Sequence, residues 1–358
     1  MASGQDGDRR MKALERLAIR CASNCFFKLS AGTLGSQPEH RMAMPTTSRS
    51  YLASISRYRQ FAGLPEMLGL LPAMLLRKSG VRFGQGSRER LERWGFFRRL
   101  AGDRFIEPLS FDRHEFRVRY NNTGNETDGV IVAIRVPFSD SSDPSVFEQI
   151  FIRDEYGQAL DWFSTVSPDH EINCILDVGA NIGCAALFFC GRFPKARVFC
   201  VEPEEGNYGR LQLNLGLNPT KNIRSLRAAL APARGKLQLS GDFEDRNQWG
   251  ARFVEIKPGV TSPPKGQFVE AIDIRGLAEA SGFDEVDVLK VDIEGAEAGL
   301  LANPEFQAFL RDKVRRVVME VHQEFITAEK AARILESLGF KTHEVAEFVC
   351  GVRTAESA

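Results

Sequence analysis

From about residue 108 the apolar positions follow two alternating periods. EFRVRY and GVIVAIRV alternate or run apolar around the Asn/Gly-rich NNTGNETDG, which predicts two strands and a turn. FEQIFI reads as a short helix, and Ile175–Val178 as the first strand of a new pattern. Strands and helices then take turns. ARVFCVE (196–202) is a strand and EEGNYGRLQLNLG a helix with Leu211 and Leu215 inward. IRSLRAAL and GKLQLS read as strands, and FVEAIDI leads into the helix RGLAEASGF. VDVLKVDIE (286–294) is a buried strand, GAEAGLLANPEFQAFL one helix, VRRVVMEV (314–321) a strand and TAEKAARILESLGF a capped helix. KTHEVAEFVCGVR closes as a strand or hairpin. Val/Ile/Leu-rich strands alternating with helices predict an α/β fold with a doubly wound, mainly parallel Rossmann-like sheet, covered on both faces.

The first hundred residues do not share this pattern. Residues 1–50 end in the polar GSQPEHRMAMPTTSRS and read as a poorly ordered arm. Residues 51–107 read as a helical extension, a lid or docking segment, and 108–358 as the main domain with a short β lead-in over 108–156. FAGLPEMLGLLPAMLL (61–76) is interrupted by Pro65, Glu66 and Pro72 and falls short of a membrane span. Residues 1–100 hold 18 Lys/Arg against 7 Asp/Glu, leaving 29 against 40 in the remainder. The arm is basic and the body acidic. That asymmetry permits peripheral membrane contact through residues 51–100, and the acidic body argues against a nucleic-acid partner.

The 7 cysteines form no framework. Cys174, Cys184, Cys190 and Cys200 fall in buried elements, and Cys21 and Cys25 lack a second ligand pair for zinc. A reducing, cytoplasmic setting is expected. The triplets starting at Asn121 and Asn125 are expected to be chance matches to a glycosylation signal, since MASGQDGDRRMKALERLAIR reads without an apolar h-region.

The chemistry gathers where the first strand meets its helix, in the spacing D-x-G-x-N-x-G from Asp177 to Gly183. Gly179 suits a tight turn, and Gly183 a close approach by a ligand or a packed helix. In an open parallel sheet this edge is where ligands bind. A dinucleotide fold wants a third glycine where Asn181 stands. The acid at Asp177 suits an ammonium group better than a diphosphate. Nineteen residues past Gly183 the next strand ends in Val201-Glu202-Pro203, where a carboxylate can accept both ribose hydroxyls. An amino-acid group, a ribose and positive charge between them describe S-adenosylmethionine.

D-V-G-A-N-I-G, then V-E-P with Asn207 and Asn214, then V-D-V-L-K-V-D-I-E-G-A-E and M-E-V-H, resemble the FkbM family of class I S-adenosylmethionine-dependent methyltransferases. The lead-in Ser142–Tyr156 is similar as well. The resemblance covers about 135–345. It implies methyl transfer, usually to a hydroxyl oxygen of a small molecule, sugar or glycolipid. By position, Asp177, Gly179, Ala180, Asn181, Gly183, Glu202 and Pro203 would hold the cofactor, with Ala228 and Ala229 beside the adenine.

Displacement at a sulfonium carbon needs alignment, and an alcohol acceptor gains from a general base. Asp292 and Glu294 end the strand facing the methyl group, and alternation would point both to one side. His322 ends another strand at the same edge. Asp292, His322 and Glu294 are therefore the catalytic candidates, with Glu320 a partner to His322 or a core acid. Glu297 reads as helix-start electrostatics. Mg²⁺ also takes carboxylates, but no third ligand is evident, so no resident metal is expected. Gln149 and Tyr156 are candidates to close over the cofactor, and the loop 241–253, with Trp249 and Arg252, to wall the acceptor. A catalytically silent scaffold acting through the basic arm is the alternative from another class. The acceptor's identity and the oligomeric state are not legible.

Overall fold

The computed structural model describes residues 85–100, 103, 105–112, 114–122, 124, 129–136, 141–168, 170–239, 253–255 and 268–353. The basic arm, Cys21 and Cys25, the apolar run 61–76, the Asn125 triplet and the Trp249 loop lie outside them. The chain divides into two compact units, residues 1–113 with 137–139, and 114–136 with 140–358. In the first, helix α1 (Gln85–Leu100) and strand β1 (Ile106–Phe111) are described, with the Arg93 guanidinium 5.5 Å from the centre of the Phe111 ring. Among the described residues no helix is long and apolar enough to cross a membrane.

The second unit opens with an antiparallel hairpin, β2 (Glu115–Tyr120) and β3 (Val130–Arg135), which register Tyr120 against Val130. Next comes α2 (Asp143–Phe147), which widens into a π-helical turn over Glu148–Ile152 before α3 (Glu155–Val166). Alternation then proceeds through β4 (Cys174–Val178), α4 (Cys184–Arg192), β5 (Arg197–Val201), α5 (Glu205–Gly216), β6 (Ile223–Leu226), β7 (Ala229–Leu230), β8 (Gly235–Leu239), β9 (Phe253–Glu255) and β10 (Phe268–Ile272). The remainder is α6 (Ile274–Ser281), β11 (Val288–Val291), α7 (Glu297–Ala302), α8 (Pro304–Lys313), β12 (Arg316–Glu320), α9 (Ala328–Ser337), β13 (Phe340–Val345) and β14 (Phe348–Arg353).

Seven strands form the central sheet in the order β13-β14-β12-β11-β4-β5-β6. β6, β5, β4, β11 and β12 run parallel, while β14 inserts antiparallel between β12 and β13. Every residue of β4 and of β11 is buried. Neighbouring side chains on a strand point to opposite faces, so both faces of this sheet are covered. The chain runs from β4 outward to β6 and returns to β11 on the other side. That reversal opens a crevice at the carboxyl ends of β4 and β11. The mainly parallel α/β sheet is the one its sequence pattern predicts.

Three predicted elements break. IRSLRAAL is not one strand: β6 stays in the central sheet, while β7 pairs with β10 in a separate sheet of order β7-β10-β8-β9. The helix over 295–310 is two, because Asn303 is extended (φ −82°, ψ 122°) ahead of Pro304, and its Oδ1 accepts from the N–H groups of Glu305 and Phe306. Strand β11 stops at Val291, three residues short of Glu294. Elsewhere the predicted cap of α9 forms, Thr327 accepting from Lys330 N–H, and Asp273 accepts from Gly276 N–H at 2.7 Å to start α6.

The hairpin is fastened to the sheet layer by side-chain amides. Asn214 Oδ1 accepts from Ala133 N–H, and its Nδ2 donates to the Ile182 carbonyl, both at 2.8 Å. Asn218 binds both backbone groups of Ile131. The exposed edge of β3 is thereby satisfied by α5, and the same amide steadies the loop after β4.

Candidate active site

The loop after β4 is shaped by its own backbone. Gly179 has φ +78°, and a Cβ there would fall 1.7 Å from the Asp292 carbonyl oxygen. Gly183 has φ +88°, and its Cβ would meet Leu211 Cδ1 at 2.6 Å. The first glycine lets β4 and β11 approach closely, and the second lets α4 pack on α5. Asn181, at φ +51°, turns the chain so that its N–H donates to Glu202 Oε2 at 2.8 Å. Its own Oδ1 accepts from Ile182 N–H.

Glu202 is the buried acid of this end. Its second oxygen accepts from Glu204 N–H at 2.9 Å, and burial, against those two hydrogen bonds, raises its carboxyl to about 7. Each oxygen keeps a further lone pair. Gly179, Asn181, Glu202, Pro203 and Ala229 all line one open crevice of about 700 Å³, mouth included, at the ends of β4, β5 and β11. Ala228, Leu230 and Leu237 supply an apolar side to it.

Asp177, Ala180 and Gly183 do not line that crevice. Asp177 is wholly buried, and its oxygens find no well-angled hydrogen bond. What holds it is Lys290, directly across in the β4–β11 register, with Nζ 3.2 Å from Oδ1. Burial raises the Asp177 carboxyl, and Lys290 offsets this in part. For Lys290, burial works the other way, yet Asp177, the Tyr156 hydroxyl and Asp292 outweigh it and keep the ammonium well above the ordinary lysine value. Lys290 Nζ also donates to the Gly179 carbonyl at 2.6 Å and lies 3.5 Å from Asp292 Oδ2. It is the functional residue that motif reading missed. The available signal was a lysine inside the apolar run VDVLKVD, where a charge survives only if paired.

Asp292 and Glu294 line the crevice but do not share an orientation. The strand has ended, and Glu294 takes φ +55° in the turn before α7. Asp292 faces Lys290, whereas Glu294 Oε2 lies 3.2 Å from His322 Nε2. His322 is not placed as a general base. Its other nitrogen, Nδ1, lies 3.2 Å from Glu297 Oε1, and the two carboxylates raise the ring to about 11. At neutral pH it is an imidazolium without a lone pair to take a proton. Glu297 is no solvated helix-start acid. It is completely buried and accepts from Ile293 N–H at 2.9 Å.

Asp292, Glu320 and His322 bring ligand-type atoms within 4.8 Å of one another. This supplies the third residue that sequence spacing lacked. In this arrangement both His322 nitrogens also face the carboxylates of Glu294 and Glu297. Burial beside Asp292 raises the Glu320 carboxyl to about 8. Tyr156 stacks on Phe348 at 5.1 Å in the core, and neither it nor Gln149 lines the crevice.

A sheet with the order β6-β5-β4-β11-β12-β14-β13, one antiparallel strand and a glycine-turn crevice at the reversal defines a class I methyltransferase fold. Residues 177–348 match the family described as the Methyltransferase FkbM domain, and this part of the chain is such a domain. The chain is 27% identical over 190 residues to methyltransferase sdnD of Sordaria araneosa, covering 46% of this chain and 73% of sdnD. It is 28% identical over 141 residues to 2-O-methyltransferase NoeI of Sinorhizobium fredii, covering 36% and 56%. A solved structure, methyltransferase FkbM from Methylobacillus flagellatus KT, aligns at 15% identity and TM-score 0.34 over 53% of this chain and 47% of that one.

Proposed function

We propose that the chain transfers a methyl group from S-adenosylmethionine to a hydroxyl oxygen of a small molecule, sugar or glycolipid. The observation that carries this reading is the buried Glu202 carboxylate beside the Gly179 turn, facing the crevice that Ala228, Ala229 and Leu230 line. The two free lone pairs of Glu202 suit a vicinal diol, and the alanines leave room for a flat base. The cofactor, when bound, supplies an electrophilic methyl carbon on a sulfonium. NoeI, by name a 2-O-methyltransferase, favours oxygen as the acceptor atom.

Asp292 is the residue assigned to take the hydroxyl proton. It lines the crevice, carries no ring of competing donors and is steadied at 3.5 Å by Lys290. With the cofactor bound to supply the methyl group, the acceptor hydroxyl would give its proton to the Asp292 carboxylate. Closing the acceptor out of water strengthens each of these interactions. Calorimetric titration with S-adenosylhomocysteine tests the reading. Wild type should bind, and Glu202→Ala should bind at least about tenfold more weakly, the loss of two charge-assisted hydrogen bonds. Equal affinity in the two proteins, or none in wild type, overturns it. Comparing glycans and metabolites from cells with and without the gene for a 14-dalton difference would then name the acceptor.

A further inference from the structure

We propose that His322 is a positioning residue, a ring bridged between Glu294 and Glu297 that holds the Asp292–Glu297 turn as one wall of the crevice. The inference rests on the methyltransferase reading for its consequence, though not for its geometry. His322 stands just past β12, and Glu294 and Glu297 flank α7's start, so the contacts join segments about 25 residues apart. Each ring nitrogen meets a different carboxylate, at 3.2 Å in both cases. One of those carboxylates, Glu297, uses the same oxygen to accept the Ile293 N–H. The ring, the acid and the backbone amide of the turn form a single chain of hydrogen bonds.

A second contact works alongside it. The His322 carbonyl accepts from the N–H groups of Phe325 and Ile326, shaping the turn that carries Phe325. A Cβ on Gly295 would fall 2.5 Å from Phe325 Cδ2 and Cε2, so the ring covers the glycine backbone. The turn is therefore contacted at two points by the His322–Ile326 segment. Ile293, Glu294 and Ala296 of that turn line the crevice next to Asp292. An arrangement that consumes both ring nitrogens makes no sense for a proton acceptor and good sense for a strut.

The test compares His322→Ala and Glu294→Gln with wild type by hydrogen–deuterium exchange and by S-adenosylhomocysteine titration. Exchange of the peptide covering 292–297 should speed up by about tenfold or more in His322→Ala and by less in Glu294→Gln, while the peptide covering 174–178 keeps its wild-type protection. Affinity for S-adenosylhomocysteine should fall in the same order. If His322 were a base, turnover would drop with affinity and exchange unchanged, and that result overturns the proposal. Equal acceleration in both peptides, meaning general destabilisation, overturns it too. Should His322→Ala fail to fold, Glu294→Gln alone decides by the same exchange comparison. Absence of any nucleoside binding in wild type would remove the methyltransferase reading, and the exchange result would still decide the clamp.

Discussion

The two banks of the crevice are built differently. On the β4–β5 side, backbone groups do the shaping: a glycine turn, an asparagine with positive φ, and a carboxylate held by two N–H groups. On the β11–β12 side, charged side chains from distant parts of the chain do it: Lys290 with Asp177 and Asp292, and His322 with Glu294 and Glu297. The first bank offers a fixed cradle whose geometry any bound nucleoside must accept. The second is an ion-pair lattice whose charges are set by their partners. On the proposed reading the first bank holds the nucleoside and the second carries the proton acceptor, on either side of the sheet's switch point.

Breaking the lattice should have the largest effect. Lys290→Met leaves Asp177 buried without a counter-charge and should cost about 3–5 kcal/mol of stability. Adding Asp177→Asn should recover much of it, because the stranded charge is gone. Denaturant unfolding of the two variants measures both steps, and a double variant no more stable than the single one would contradict the pairing. For the same reason Asp177→Ala reports on folding before it reports on ligand binding.

A change at Asp292 should separate the two banks. Asp292→Asn is expected to lower turnover by about 10²–10⁴-fold, the usual worth of a general base. Its affinity for S-adenosylhomocysteine should stay close to wild type. Steady-state kinetics beside calorimetry checks this, and a parallel loss of affinity would place Asp292 on the binding side.

The smallest effect concerns Glu202. Its carboxyl lies at about 7 in the fold against an ordinary 4.5, raised by burial. In that interval the unfolded chain has released a proton that the folded chain keeps. Stability linked to Glu202 is therefore full below the ordinary value and lost as pH rises to about 7, by at most about 3 kcal/mol. Glu202→Gln should flatten that part of the melting-temperature profile between pH 4.5 and 7. Thermal scans of both proteins across this range would show the slope in wild type alone.

Local pattern carried much of this molecule. The runs at β4, β5, β11 and β12 are mostly apolar because both sheet faces are covered, and the turn from Gly179 to Gly183 announces itself by residues that tolerate positive φ. These are properties of a few consecutive residues, so they can be read consecutively. The glycines, however, were legible only as close approaches. That Gly179 meets the Asp292 carbonyl and Gly183 meets Leu211 depends on elements far along the chain. The split of IRSLRAAL between two sheets was equally hidden, since both halves read as one strand and only β10 draws the second away.

The charges followed the same division. Sequence by itself determined that acids and a histidine would collect at one edge of a parallel sheet, because strand direction delivers strand ends there. Only the tertiary structure decided which charge faces which. Lys290 finds Asp177 through strand register, and His322 finds Glu294 and Glu297 through the turn that follows β11. Protonation state depends on distance and burial, which no spacing along a chain contains, and so His322, one of the residues offered as a base, is held as an acid.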